Sequence, residues 1–266
     1  MTPSFGQYNP SIYKTFKKLI KRIPFSIFIY DSLLYMFRYF RYAAAFSRFH
    51  KAAKRARDRF GLPKWKERYP CLGEDTETTF FDSHYIYHPA WAARIVAQIQ
   101  PAVHIDISSS LTFCSIVSAF VPVEFYDYRP APLDLENLNC KHGNLTKLPF
   151  AGESVESLSC MHVVEHIGLG RYGDPLDPDG DVKAIAELKR VLAKGGSLLF
   201  VTPVGTPKIR FNAHRIYSCE QIMSYFNGLH VEQFALVDDN GRLFINADPS
   251  YANRQEYGCG CWWFKK

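Results

Sequence analysis

No two cysteines in this chain of 266 residues stand in a CxxC spacing. Cys71, Cys114, Cys140, Cys160, Cys219, Cys259 and Cys261 read instead as reduced thiols of a cytoplasmic protein. Long uncharged apolar runs are missing too. Ile23 to Phe40 is rich in aromatic and aliphatic residues but carries Asp31 and Arg38, whereas a membrane-spanning helix needs about 20 apolar residues. The same charges, with Arg41, spoil a secretory-signal reading ahead of Ala43-Ala44-Ala45. Internal repeats and low-complexity tracts are absent. What remains is 47% hydrophobic, enough for a sizeable core.

Charge is unevenly spread. Met1 to Arg68 holds sixteen Lys/Arg against Asp31, Asp58 and Glu67, a balance of +13. The rest holds sixteen against twenty-three acids, a balance of −7. A basic arm over residues 1–79 thus precedes an α/β domain over 80–266. Such asymmetry suits a polyanionic partner. A helix lying in an anionic membrane interface fits Tyr13 to Arg68, which makes the protein cytoplasmic or peripheral at the inner face. A helical pair packed on the main domain or on a second copy competes with that reading. Nucleic acid is disfavoured, because no recognition module accompanies the charge. His50 to Arg59 reads as a second helical run, ended by Gly61-Leu62-Pro63, and Leu62 to Thr79 as a linker.

The organising stretch is Ser157 to Gly205. An apolar strand to Met161 enters a loop broken by Gly168, Gly170, Gly173, Pro175 and Pro178. Val182, Ile185, Leu188, Val191 and Leu192 then recur at helical spacing. Asp179 or Asp181 can cap that helix, and Gly195-Gly196 end it. Ser197 to Thr202 is a buried-type strand. Upstream, Pro89 to Gln98 is a helix, Val103 to Ile107 the first strand, Leu111 to Phe120 a helix and Val123 to Tyr126 the second strand. Arg210 to Tyr217 reads as a polar loop. His230 to Leu236 and Gly258 to Phe264 read as a terminal antiparallel pair, with Asp239-Asn240-Gly241 as turn. Strand, helix and strand in sequence predict an open parallel sheet, with ligand outside the carboxyl ends of the strands.

Asp106, Asp127 and Asn144 fall at successive strand ends, either as ligands for a nucleotide or as ordinary strand terminators. His162-Val163-Val164-Glu165-His166 matches an inverted zinc-protease signature, but the following glycines deny it a sustained helix. Cys259-Gly260-Cys261 offers too few ligands for zinc, and no residue is assigned to a metal. Asp174, Asp177, Asp179 and Asp181 read more simply as turn and helix-start charge than as metal ligands.

VHIDISSS, YDYRP, GNLTKLPFAGESVESLSCMHVVEH and ELKRVLAKGGSLLFVTPV resemble the successive motifs of class I S-adenosylmethionine-dependent methyltransferases. HY…H…WAAR, EHIGLGRYGDPLDPDGD, FNAHR and YGCGC resemble an uncharacterised branch of that superfamily, a domain-of-unknown-function family linked to surface-polysaccharide genes. The likeness covers about Phe80 to Phe264. It implies a Rossmann-like, mostly parallel seven-stranded sheet with an antiparallel last strand and an N-terminal basic helical extension. It implies S-adenosylmethionine as cofactor and O-methylation of a glycan or glycolipid hydroxyl. Asp106 would then orient the methionine end and Asp127, beside Tyr128, the ribose. Asn144 and Leu145 would frame the adenine, and Met161 and His162 the far wall. Tyr85 or Tyr87 would face the sulfonium. The turn after strand one departs from the pattern: Ser108-Ser109-Ser110 replaces glycines, with hydroxyls of Ser108 and Ser110 available to the cofactor's carboxylate. A hydroxyl acceptor needs a base, for which His166 and His214 are candidates. Arg171, Asp174, Asn212 and Arg215 are candidate acceptor contacts. The competing reading is a methyltransferase-like module without catalysis, docked at a membrane by the arm.

Overall fold

A computed structural model describes residues 24–56 and 59–266, with side chains in the first helix from residue 29 onward. The basic stretch 13–23 lies outside the described residues. The chain divides into two compact units between Phe80 and Phe81.

In the first unit one helix, α1 (Pro24–Ala56), runs without interruption. The expected break between two helical runs does not occur, because Ala43-Ala44-Ala45 and their neighbours are good helix formers with no Gly or Pro among them. A short 3₁₀ turn, Trp65–Glu67, lies against it. The Trp65 ring meets Phe46 edge-on at 5.0 Å and touches Tyr39 and Tyr42. Within the segment read as a linker, Trp65 is thus packed against the helix, while most of its neighbours are exposed. Arg41 also reaches Asp75 at 2.6 Å, an exposed pair of little energetic weight.

The second unit is built on α2 (Ser83–Ile99), β1 (His104–Ile107), α3 (Leu111–Val117), β2 (Val123–Asp127), β3 (Leu138–His142), β4 (Val155–Met161), α4 (Gly180–Val191), β5 (Leu192–Val204), β6 (Lys208–Arg210), β7 (His214–Ile216), α5 (Cys219–Tyr225), β8 (His230–Val237), β9 (Leu243–Ile245), α6 (Pro249–Ala252) and β10 (Gly258–Lys265). The main sheet has eight strands in the order β3-β2-β1-β4-β5-β10-β8-β9. Strands β3 to β5 pair in parallel, and β10 runs antiparallel between β5 and β8. This is the expected Rossmann-like α/β class with its reversed strand. The eighth strand is an addition: the Asp239-Asn240-Gly241 turn joins β8 to β9, which edges the sheet. Asp238 builds that turn by accepting from the amides of Asn240 and Arg242 at 3.0 and 2.9 Å.

Alternation along β5 serves both faces. Leu198 and Phe200 join Ile185, Leu188 and Trp262 on the side of α4 and α5. Leu199 and Val201 join Trp91, Val96 and Phe113 on the side of α2 and α3. Each large apolar side chain so buried contributes about 1.5–3 kcal/mol. The sheet is thus covered by helices on both faces, as a parallel sheet must be.

Three local expectations need correction. Helix α4 ends at Val191, and Gly195-Gly196 instead form a bulge at the start of β5, between Val155 and Ser157 of β4. Asp179 occupies the helix-start position without a side-chain cap, and Asp181 turns inward to Tyr217 and Arg215. The polar loop at 210–217 is a hairpin, β6 to β7, whose tip carries Asn212 at φ 61°.

Candidate active site

In the order β2-β1-β4, the chain leaves β1 toward one side and returns as β4 on the other. A crevice forms where connections diverge in this way. Beyond the ends of β1 and β4 lies a cavity of about 660 Å³. Its floor is the Ser108–Ser110 turn with Met161 and His162, and Tyr85 enters from the first turns of α2. The β6–β7 hairpin supplies Asn212, Ala213 and His214.

The serine turn is held from below. Asp106 is fully buried, and its carboxylate accepts from the Ser109 amide at 3.0 Å and from the Ser159 hydroxyl. Ser108 stands at φ 55°, the left-handed region where glycine is usual. Its amide and hydroxyl both donate to the Tyr126 carbonyl, at 2.8 and 3.1 Å. The Ser109 hydroxyl accepts from the Met161 amide at 3.0 Å, and Ser110 caps α3 by accepting from Phe113 at 3.1 Å. Every serine hydroxyl of the turn therefore has a partner inside the protein, though all three residues line the cavity.

Several residues expected at the ligand lie elsewhere. Asp106 is beneath the turn and acts on it rather than facing the cavity. Asp127 ends β2, half-exposed, with one carboxylate oxygen accepting from the Arg129 amide at 2.6 Å. Tyr128 is exposed and tilts against His142. Asn144 is exposed and closes its own turn onto Thr146, while Leu145 is buried in the core. These four flank the cavity without lining it. Asp174 ties the loop by accepting from the Gly168 and Tyr172 amides. Arg215 is buried, donates to the carbonyls of Ile167 and Pro178, and stands 3.5 Å from Asp181. Both are structural, because their polar atoms are consumed by the loop they stabilise. Arg171 and Asn212 do line the cavity.

Four histidines gather here in distinct electrostatic settings. His166 Nδ1 donates to the Ala213 carbonyl, which leaves Nε2 as the lone-pair nitrogen. That Nε2 lies 3.9 Å from Glu165, a carboxylate only 1% exposed. Glu165 also accepts from His162 Nδ1 at 2.9 Å. Burial would push Glu165 up, but this bond and the charges of His162 and His166 bring it below its ordinary value. His214 is held below its ordinary value by burial and then by Arg210, and its Nε2 is enclosed without a partner. Burial and the neighbouring His162 lower His84 to about 4. The sequence reading passed over Glu165, Tyr172 and Tyr257 as site residues. Their signals were the rejected H-x-x-E-H match, the loop's aromatic and the terminal YGCGC.

Residues 149–243 match a family described as "Caenorhabditis protein of unknown function, DUF268". A search of curated proteins finds no match. Among solved structures the chain is similar to the YcgJ protein of Bacillus subtilis, at 13% identity over 66% of this chain and 99% of that one, TM-score 0.44. It is also similar to a 1,6-didemethyltoxoflavin-N1-methyltransferase of Burkholderia thailandensis, at 12% over 86% and 91%, TM-score 0.48. The N-methyltransferase NodS of Bradyrhizobium japonicum is similar at 10% over 67% and 85%, TM-score 0.48.

The brace beneath the turn carries a pH signature. Burial lifts Asp106 from 3.8 to about 6, against the opposing hydrogen bonds from Ser159 and Ser109. The folded state then holds the proton more tightly than the unfolded chain. This contribution to stability is complete below the unfolded value and is lost as pH rises to about 6. Relative to Asp106→Asn, the native protein should lose about 2–3 kcal/mol between about pH 4 and pH 7. Urea unfolding of both proteins at both pH values checks this; a difference that stays constant with pH rules it out.

Proposed function

We propose that the chain is an S-adenosylmethionine-dependent methyltransferase acting on a hydroxyl, of the glycan or glycolipid type. The observation that carries the reading is the cavity's place: it opens at the topological switch point of a sheet ordered 3-2-1-4-5 with a reversed strand beyond. About 660 Å³ is ample for a nucleoside-sized ligand. The acceptor class rests on the sequence resemblance.

The residues present suit the cofactor. We assign the ribose hydroxyls to Asp127, which ends β2 at the flank of the cavity, because an acid after the second strand usually has that task. The turn forms part of the cavity floor. Tyr85 is half-exposed at the wall, where an aromatic face favours a cation. The cofactor, when bound, supplies an electrophilic methyl group on a sulfonium.

The chain's own contribution is a base and a clamp. His166 takes the acceptor's proton at Nε2, because Nδ1 is pinned to Ala213. Glu165 stabilises the imidazolium that results. His214, with its Nε2 enclosed, shapes the wall instead. Arg171 lies at the rim, where a guanidinium suits an acidic sugar or phosphate.

One observation favours the second reading, a binding module without catalysis: the serine hydroxyls are spent internally, and Ser108 is locked in a strained conformation. Calorimetric titration with S-adenosylhomocysteine separates the two. Binding is expected, weakened about tenfold or more by Asp127→Ala, a loss of about 1.4 kcal/mol. His166→Gln should leave that affinity intact and slow methyl transfer about 10²–10⁴-fold. A flat titration on folded protein would refute the enzyme and favour the module.

The arm is proposed to rest on an anionic membrane surface. Ile29, Leu33, Met36, Phe37 and Phe40 are exposed at helical spacing, with Arg38 and Arg41 close by in sequence. None of the described helices is long and apolar enough to cross a membrane. The protein should float with liposomes containing phosphatidylserine and not with neutral ones, and Leu33→Asp with Phe37→Asp should abolish flotation. Equal recovery of native and variant protein with anionic liposomes would disprove it.

A further inference from the structure

We propose that His84, His162 and Cys259 form a binding site for a zinc-type divalent cation in the wall of the cavity. Their ligand atoms all lie within 4.8 Å of one another. The three come from separate parts of the chain: the first turn of α2, the residue after β4 and the start of β10. Only the folded sheet brings them together.

The geometry suits the ion. Tetrahedral zinc, bonded at about 2.0–2.1 Å to nitrogen and about 2.3 Å to sulfur, holds those two ligand atoms about 3.5 Å apart. His162 Nε2 and Cys259 Sγ are 3.3 Å apart. The other nitrogen of His162 is bonded to Glu165 at 2.9 Å. A carboxylate behind a histidine in this way fixes its tautomer and orientation and raises its basicity as a ligand.

Charge balance argues in the same direction. A Cys259 thiolate buried beside the Glu165–His162 pair is costly without a counter-charge. A dication offsets both Glu165 and a Cys259 thiolate. Ligation breaks the Cys259 S–H bond and forms S–metal, and the proton goes to solvent. No electron is transferred.

A cation with three protein ligands keeps a fourth position. Nearby, the His88 ring lies 5.0 Å from that of His162. His88 Nδ1 bonds the His84 carbonyl at 2.6 Å, so its Nε2 is an acceptor, and that buried atom has no partner. His162 also lines the cavity, so an acceptor hydroxyl arriving there can take the fourth position, and a bound cation makes it easier to deprotonate.

This site does not require methyl transfer, and its test does not use it. The full chain is stripped with chelator, confirmed folded by circular dichroism, and titrated with cobalt(II). One equivalent should bind, with tetrahedral d–d absorption and a thiolate-to-cobalt charge-transfer band, and zinc should displace it. Cys259→Ala and His84→Gln should each abolish the charge-transfer band or weaken binding about a hundredfold, and Cys261→Ala should retain it. Glu165→Gln should weaken zinc binding about 10–100-fold. His84 lies half-exposed on the helix surface, so its variant tests the site even if the strand variant fails to fold. No charge-transfer band in the native protein, or a band that survives in folded Cys259→Ala, would overturn the assignment.

Discussion

One buried carboxylate fastens the two strand ends between which the cavity opens. Asp106 receives the Ser109 amide from its own turn and the Ser159 hydroxyl from β4. Ser109 in turn receives the Met161 amide. These bonds fix the height of the β1 turn against the end of β4, and every residue lining the floor inherits its position from them. The cost is desolvation of a carboxylate, visible in its raised pKa. The return is a rigid floor, because buried polar groups with satisfied partners admit few alternative arrangements.

The same brace continues inward. Ser159 also bonds His104 Nε2 at 2.8 Å, and His104 Nδ1 bonds Ser157 at 2.7 Å. Burial lowers His104 to about 3, so it bridges the two serines as a neutral ring. A polar chain therefore runs through the sheet in place of apolar packing. It explains the alternation of Ser157 and Ser159 along β4, which hydrophobic patterning alone would have called misplaced. Each hydroxyl is there because the histidine and the carboxylate on β1 need partners.

Periodicity and turn chemistry made the sheet legible. β1, β2, β5, β8 and β10 were readable as apolar runs, and the helix carrying Ile185 and Leu188 as a 3.6-residue stripe. What failed followed from properties a single chain does not display locally. The continuity of α1 depends on the absence of a breaker, which composition in a charged region obscured. Asp127 and Asn144 looked equivalent to Asp106 because all three end strands, yet only Asp106 points beneath the turn. Arg215 and Asp174 were plausible anion and acceptor contacts by chemistry, but loop carbonyls and amides nearer in space claim them. Ser108 takes a positive φ that a side chain disfavours, and two bonds to one carbonyl overcome that preference.

The H-x-x-E-H segment shows how a motif can be wrong in context and still mark the right place. On a sustained helix its two histidines would share a face. Here the segment starts one residue beyond β4 and folds into a 3₁₀ turn, so His162 and His166 diverge on either side of Glu165. One histidine turns toward Cys259 and the other toward Ala213. A single buried carboxylate consequently supports two imidazoles with different tasks. Both rings face the same carboxylate, His162 Nδ1 at 2.9 Å and His166 Nε2 at 3.9 Å. The two rings therefore share one buried negative charge, and a change at either side of Glu165 bears on the other.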